Sequence, residues 1–486
     1  MTFLKAIEDK GGEVYEVGGT LRDALLQIPH KDKDLLVAKI PMEELVALLS
    51  RFGPVQRVGK SFGVLKFRLH RSHSEVDIAL PRLERSTGLG HRDFEVEYDP
   101  FLPVEKDLGR RDFTINAMAR NVKTGEILDP FGGQRDLESK LLRQVFPQAF
   151  EEDPLRMLRA VQFAARFGLT IEAETLAAMK KHAPLIETVS PERIIEEIRK
   201  LFSAPKPSAG FRIMRETGLL KFIFPDVENM VGVPQPKKKG GDVFEHTLLV
   251  LDASRSSPDV ERAGDLEVMF SALFHDTGKP ATYRVSEDGQ NVTFYGHQII
   301  SKKITQKWMK KYRASMLGID PENVATLVDQ HMFETKSFYT ERAIRRFVNK
   351  VGPELIFKLI DLRIADKKGG AYPENLKGIL KLKKRIQDEL DKKPPFGPKD
   401  LALKGADLMK MGFPEGPQIG KILKELVEIV LDDPGENTAE KLSAHVFKRF
   451  GKATQEKETA PQTPEKPGAK GDSHDLRTKG KKGKSE

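Results

Sequence analysis

Cysteine is absent from the 486 residues. That excludes disulfides, thiolate metal ligands and a cysteine nucleophile, and it is compatible with a reducing compartment such as the cytoplasm. Long apolar runs are missing too. No stretch reaches the roughly 18–20 apolar residues of a membrane-spanning helix. The opening MTFLKAIEDKGGEVYEVGG has none of the apolar core of a secretory leader. A cytoplasmic protein with no membrane partner is therefore expected. No internal repeat stands out. What is present is ordinary for a soluble chain, 39% hydrophobic and 31% charged, with length enough for about three or four domains. The formal charge is +9, of which +3 lies in residues 451–486. A basic surplus suits a polyanion such as RNA, although charge alone selects that partner weakly.

Residues 1–140 read as mixed α/β. EVYEVGG reads as a strand ending in glycines and TLRDALLQI as a short amphipathic helix, with KDLLVAKI, FGVLKFRLH and EVDIALP as further strands. Residues 84–109, polar with Gly, His and Pro, are expected to form a long mobile loop. From 141 the pattern turns helical, and DPLRMLRAVQFAARFGL sets Leu155, Leu158, Val161, Ala165 and Phe167 near one apolar side. In SPERIIEEIRKLF, Ser190 is expected to cap a helix with Pro191 in its first turn. VPQPKKKGGD (233–242) reads as a linker, and helices with spaced histidines follow to about 370. A polar stretch at 390–405 precedes a small helical unit, and 451–486 is disordered by composition.

GGTLRDALLQIPHKDKDLLV (18–37) holds two aspartates one residue apart. On a strand, positions i and i+2 share a face, so Asp32 and Asp34 point into one cleft while Lys33 points away. Two carboxylates there suit Mg²⁺. Asp77, opening the next plausible strand, supplies a third acid for two-metal phosphoryl transfer. Gly18 and Gly19 permit close approach of phosphate, the helix start offers free N–H groups, and Arg22 can grip phosphate with two donors.

VGGTLRDALL…KDKDLLV, LGRRDFTINAMA, DPFGG and EEDPLRMLRAVQFAARF, in that order, resemble the bacterial class II tRNA nucleotidyltransferase and poly(A) polymerase family. The resemblance implies an α+β fold: a polymerase-β-like head at 1–140, a helical neck and body at 141–235, an HD domain at 236–370, a helical tRNA-contacting unit at 371–450 and a tail at 451–486. It implies that Asp32 and Asp34 bind metal, with Asp77 as the third acid and Arg82 closing its motif. Arg110, Arg111 and Asp112 match the motif that contacts ribose and triphosphate, and Asp129 and Gly132 match a flexible element. Glu152, Asp153 and Arg156 match a protein template for the incoming base. Asp and Arg together offer the acceptors and donors that a cytosine or adenine edge requires. Arg159 and Arg166 extend a basic stripe beside them. Glu192 and Arg193 either support the template or only hold the neck.

His246, His275, Asp276 and Asp366, in FEHTLLV, FSALFHDTGKP and RIADKKGG, resemble the metal set of HD phosphohydrolases. Imidazole and carboxylate suit Mn, Ni, Fe or Zn, and His297 and His331 would widen the set to a second position. The likeness implies phosphatase or 2′,3′-cyclic phosphodiesterase activity. At the end of the chain Lys421 and Lys424, on a helix after Gly416-Pro417, either touch RNA phosphate or lie on a plain helical cap. The expected activity is addition of C, C and A from CTP and ATP to tRNA 3′ ends. Its competitors are a poly(A) polymerase, a CC-only or A-only enzyme, and an HD hydrolase with an RNA-binding front half.

Overall fold

The computed structural model describes residues 2–29, 33–58, 63–70, 75–86, 94–235, 241–287, 291–335, 339–370 and 375–451. Asp32 and the tail after 451 lie outside these residues. The chain forms two compact units, residues 1–394 and 395–486.

The first unit opens with strands β1 (Glu13–Val17), β2 (Lys33–Ala38), β3 (Val55–Val58), β4 (Val64–Arg68) and β5 (Glu75–Ala79). With β8 (Ala119–Asn121) and β9 (Ile127–Leu128) they make one sheet in the order β3-β4-β5-β2-β1-β8-β9. Alternation sorts its side chains. Leu35, Val37, Leu65, Phe67, Val76 and Ile78 form one face, buried with Ile7, Leu45 and Leu48 of the helices Phe3–Glu8 and Met42–Leu49. Tyr15, Val17, Leu36 and Ala38 form the other, covered by Val104 and Leu108 of the helix Val104–Gly109. Asp34 lies on this second face, as Asp77 does, where the apolar cover ends. Strands β2 and β5 are parallel, with Asp34 paired to Asp77 in register.

The stretch 84–109 departs from the expected loop. Strands β6 (Arg82–Ser86) and β7 (Phe94–Tyr98) pair antiparallel, and the helix Val104–Gly109 follows. Phe-Glu-Val-Glu-Tyr alternates with the period of a strand, a pattern hidden by its polar half. Residues 87–93 lie outside the described residues.

The helical part packs on one continuous core that runs from Phe113 to Val328. Trp308 stacks on Phe224 at 4.8 Å and donates from Nε1 to the Ile223 carbonyl at 2.8 Å. Helices before and after the expected linker at 233–242 therefore share one interior. Ser190 stands at the N-cap of the helix Pro191–Phe202, yet its side chain makes no cap hydrogen bond. The second unit packs the helices Gly405–Lys410, Pro417–Asp432 and Ala439–Phe450 around Leu408, Ile422, Leu426, Val430, Leu442 and Val446. No helix among the described residues is long and apolar enough to cross a membrane.

Candidate functional site

A cleft of ≈ 1010 Å³ lies where the sheet meets the first neck helices. Gly18, at φ +60° and ψ −127°, turns β1 into the helix Gly19–Leu25. The turn needs glycine for its positive φ, and a Cβ there would sit 2.8 Å from Arg111 Nη1 and push that guanidinium aside. The Asp34 amide donates to Thr20 Oγ1 at 2.9 Å, tying this turn to β2. Asp34 and Asp77 both line the cleft, and the Lys66 ammonium is 4.0 Å from Asp77. Two hard oxygen donors side by side, exposed to an open cleft, fit a divalent cation such as Mg²⁺. Eight arginines and one lysine line the cleft against four aspartates, which suits a polyanionic ligand.

Two of the arginines, Arg110 and Arg111, are held by an acid that sequence reasoning passed over. Asp107 is fully buried, its Oδ1 accepting from Arg110 Nη2 at 2.6 Å and its Oδ2 from Arg111 Nη2 at 3.1 Å. The spacing i, i+3 and i+4 on one helical turn was the available signal. Burial works against the Asp107 charge, but Arg111 and Arg110 outweigh it and hold the carboxyl below its ordinary 3.8. A depressed pKa stabilises the fold above the unfolded value, and that stability is lost as pH falls through the folded one. Asp107→Asn is expected to cost about 3 kcal/mol near neutral pH. In urea denaturation, the gap from the wild type should shrink below pH 3.8.

Asp112 is buried and accepts from Asn116 Nδ2 at 3.0 Å and from Arg159 Nε at 2.8 Å. Arg22, expected at phosphate, is also buried. Its Nη1 donates to Asn116 Oδ1 at 2.7 Å, its Nε donates to Asp23, and its guanidinium lies 4.9 and 4.6 Å from the Phe163 and Phe167 ring centroids. In this fold Arg22 joins head to neck. Asp129 accepts from the Gly133 and Gln134 amides at the start of the helix Gly133–Glu138.

On the neck wall, Asp153 precedes the helix Leu155–Phe167 and accepts a two-pronged contact from Arg193, at 3.1 and 2.7 Å. Arg156 donates to the Ala149 and Arg110 carbonyls at 3.2 and 2.9 Å. Of the two residues whose task the sequence left open, Arg193 meets Asp153 and Glu192 pairs with Arg313.

A second cluster lies in the helical part. His246 sits on the helix Val243–Ser256, His275 and Asp276 follow the helix Leu266–Phe274, and His297 opens the helix His297–Lys311. His331 follows the helix Pro321–Gln330, and Asp366 sits near the end of the helix Ile356–Gly370. All six are buried. They form two triads, His246, His275 and Asp366, and Asp276, His297 and His331, each with its ligand atoms within 4.8 Å of one another. Every Nδ1 meets a backbone carbonyl: Gly369 at 3.1 Å, Ala272 at 2.8 Å, Phe294 at 2.8 Å and Val328 at 2.7 Å. Each Nδ1 must then carry the proton, which leaves the Nε2 of a neutral ring as a bare lone pair.

The Nε2 atoms of His297 and His331 face each other at 3.2 Å. Two lone pairs at that distance repel unless a cation lies between them or one ring is protonated. Burial pushes His331 down to about 3, which favours the neutral, ligating ring. The Nε2 of His275 is buried without a well-aligned hydrogen-bond partner, 3.1 Å from an Asp276 oxygen. This donor set fits a divalent transition metal.

Residues 14–143 match the model of the poly A polymerase head domain. Residues 168–231 match that of the probable RNA and SrmB-binding site of polymerase A, and 243–368 that of the HD domain. The multifunctional CCA protein of Nitrosomonas europaea is 43% identical over 276 residues, 56% of this chain and 63% of the relative. This match thus covers slightly less than two thirds of the relative. The multifunctional CCA protein of Actinobacillus pleuropneumoniae serotype 5b is 37% identical over 327 residues, 66% of this chain and 75% of the relative. In fold, the chain resembles the Bacillus stearothermophilus CCA-adding enzyme in complex with CTP, with a TM-score of 0.65 and 22% identity, covering 92% of this chain and 96% of that one. It also resembles the Thermotoga maritima CCA-adding enzyme complexed with tRNA, with a TM-score of 0.51 and 22% identity, over 92% and 93% of the two chains.

Proposed function

The chain belongs to the family of the multifunctional CCA proteins, and from that premise we propose that it adds C, C and A from CTP and ATP to tRNA 3′ ends in the cytoplasm. The carrying observation is that one cleft collects Asp34, Asp77, a surplus of arginines and the Asp153–Arg193 and Arg156 group. The 3′-hydroxyl oxygen attacks the α-phosphorus, the bond from that phosphorus to the bridging oxygen breaks, and pyrophosphate leaves. Asp32 and Asp34, with Asp77 beside them, would hold Mg²⁺, which when bound supplies Lewis acidity to the hydroxyl and the triphosphate. Arg110 and Arg111, set by Asp107, oppose the charge on the triphosphate. Asp153 Oδ1 accepts from Arg193 and from the Leu155 amide and Oδ2 from Arg193, so Oδ2 keeps acceptor capacity for a base amino group. Arg156, fixed by two carbonyls, presents its remaining N–H groups to a base acceptor.

A tRNA ending at its discriminator base, given CTP and ATP, should gain CCA and nothing further. Long A tails without C would mark a poly(A) polymerase, and a halt after CC a specialist. No incorporation by folded protein in Mg²⁺ would overturn the reading. Arg193→Ala should raise the KM for CTP and ATP about tenfold or more, the scale of a lost charge-assisted contact. Arg193→Lys should recover little, because one ammonium cannot repeat a two-pronged grip.

The buried histidine cluster supports a second activity, hydrolysis of phosphate esters at RNA ends. His246, His275, Asp276, Asp366, His297 and His331 would hold Mn, Ni, Fe or Zn, which supplies an activated water when bound.

A further inference from the structure

The histidine cluster forms part of the lining of a cleft of ≈ 640 Å³. Arg363 and Lys367 stand four residues apart on one face of the helix Ile356–Gly370, and both line it. Arg363 donates from Nη1 to Asp366 Oδ2 at 2.8 Å, while its buried Nε has no hydrogen-bond partner. Lys367 has no acidic partner among the described residues. Lys279 lies 2.6 Å from Asp276. Cations thus gather beside metal-ligand chemistry, a setting for phosphate oxygens.

Val292, Phe294, Tyr295 and Met332 give the lining an apolar part, beside the polar Gln235 and Thr293. Tyr295 is 85% exposed and Met332 57%, and both border the same cleft. Each lies within two residues of a cluster histidine, His297 or His331. The neighbouring Phe294 carbonyl receives His297 Nδ1–H, so the backbone beside Tyr295 is fixed to the cluster. A ring standing in water at the rim, with cations and ligand atoms in the same cleft, matches a nucleotide whose base stacks at the lip while its phosphate reaches inward. A simple alkyl phosphate would leave the ring unused.

We propose that Tyr295 is a specificity-determining residue of this second centre: its ring stacks on the base next to the scissile phosphate, with Arg363 and Lys367 gripping the phosphate oxygens. The assignment rests on the hydrolase reading above. Full-length protein supplied with Mn²⁺ is assayed on adenosine 3′-monophosphate and on glycerol 2-phosphate. Tyr295→Ala should raise the KM for the nucleotide roughly tenfold, the scale of one lost base stack. It should leave kcat and the glycerol phosphate kinetics within twofold, and Tyr295→Phe should restore the wild-type KM. Tyr295 is exposed, so the substitutions leave the core intact. Equal effects of Tyr295→Ala on both esters, or no effect on either, would overturn the assignment.

A readout independent of turnover separates this assignment from the hydrolase reading. Tyr295→Trp adds an exposed indole to a chain whose single tryptophan, Trp308, is 5% exposed. Its emission should be quenched by adenosine 3′-monophosphate and not by glycerol 2-phosphate. Quenching without hydrolysis of either ester by the wild type would sink the hydrolase and retain the base contact. Hydrolysis without quenching and without a KM shift would do the reverse.

Discussion

Asp34→Ala is expected to lower CTP and ATP addition to tRNA about a thousandfold or more, the ~4 kcal/mol scale of a lost metal-borne charge stabilisation in the transition state. The effect should be chemical rather than structural. Asp34 is held in the strand by the hydrogen bond its backbone N–H donates to Thr20 Oγ1, which alanine keeps, and its carboxylate lines the open cleft. Leu35, Leu36 and Val37 supply the burial that fixes the strand, so the melting temperature should stay within a few degrees. Hydrolysis at the histidine cluster should be unchanged. Loss of both activities in a folded Asp34→Ala protein would show that the two centres are not separate.

Asp276→Asn is expected to do the opposite, removing hydrolysis and metal retention while CTP addition stays within twofold. Asp276 is buried at the middle of the cluster, with Oδ2 3.1 Å from His275 and 3.6 Å from His246, and Oδ1 3.3 Å from His297. Asp276 thus lies within 3.9 Å of histidines of both triads. Asparagine keeps the volume but offers a neutral oxygen and an N–H₂ group, a poor ligand for a divalent ion. Alanine is the worse probe. It would remove the oxygen that the buried Lys279 ammonium meets at 2.6 Å, a loss on the order of 3–5 kcal/mol. Metal content by mass spectrometry, hydrolysis of adenosine 3′-monophosphate and tRNA extension are read on the same preparation. An Asp276→Asn protein that keeps its metal and its hydrolysis would remove the cluster from the chemistry.

How far the sequence speaks depends on the range of the interaction. The period of two in a strand sets Asp32 and Asp34 on one face from the sequence alone, although Asp32 lies outside the described residues, whereas the meeting of Asp34 with Asp77 needs the parallel pairing of β2 and β5. The six metal-type ligands are legible because histidine and aspartate in that order carry their own chemistry. The support beneath them is not. Arg22 meets Asn116 across 94 positions, and Arg193 meets Asp153 across 40. Nothing local shows that Arg22, which lines the cleft, also lies against the rings of Phe163 and Phe167. Asp107 sits one turn from the arginines it holds, yet it falls in a stretch whose polar composition reads as a loop and which the structure makes the helix Val104–Gly109. The hairpin of β6 and β7 was hidden for a like reason, since its alternation is carried by charged residues that composition alone assigns to a loop.

Ordered addition of C, C and A is tested most directly by single-nucleotide extension. Three tRNAs, ending at the discriminator base, at C and at CC, are each incubated with one NTP at a time in Mg²⁺, and their 3′ ends are sequenced. CTP should extend the first two and ATP only the third, with UTP and GTP inert throughout and one pyrophosphate released per residue added. ATP extending all three ends into runs of A, or CTP extending the end that already carries CC, would contradict a cleft in which Asp153, Arg156 and Arg193 choose the base.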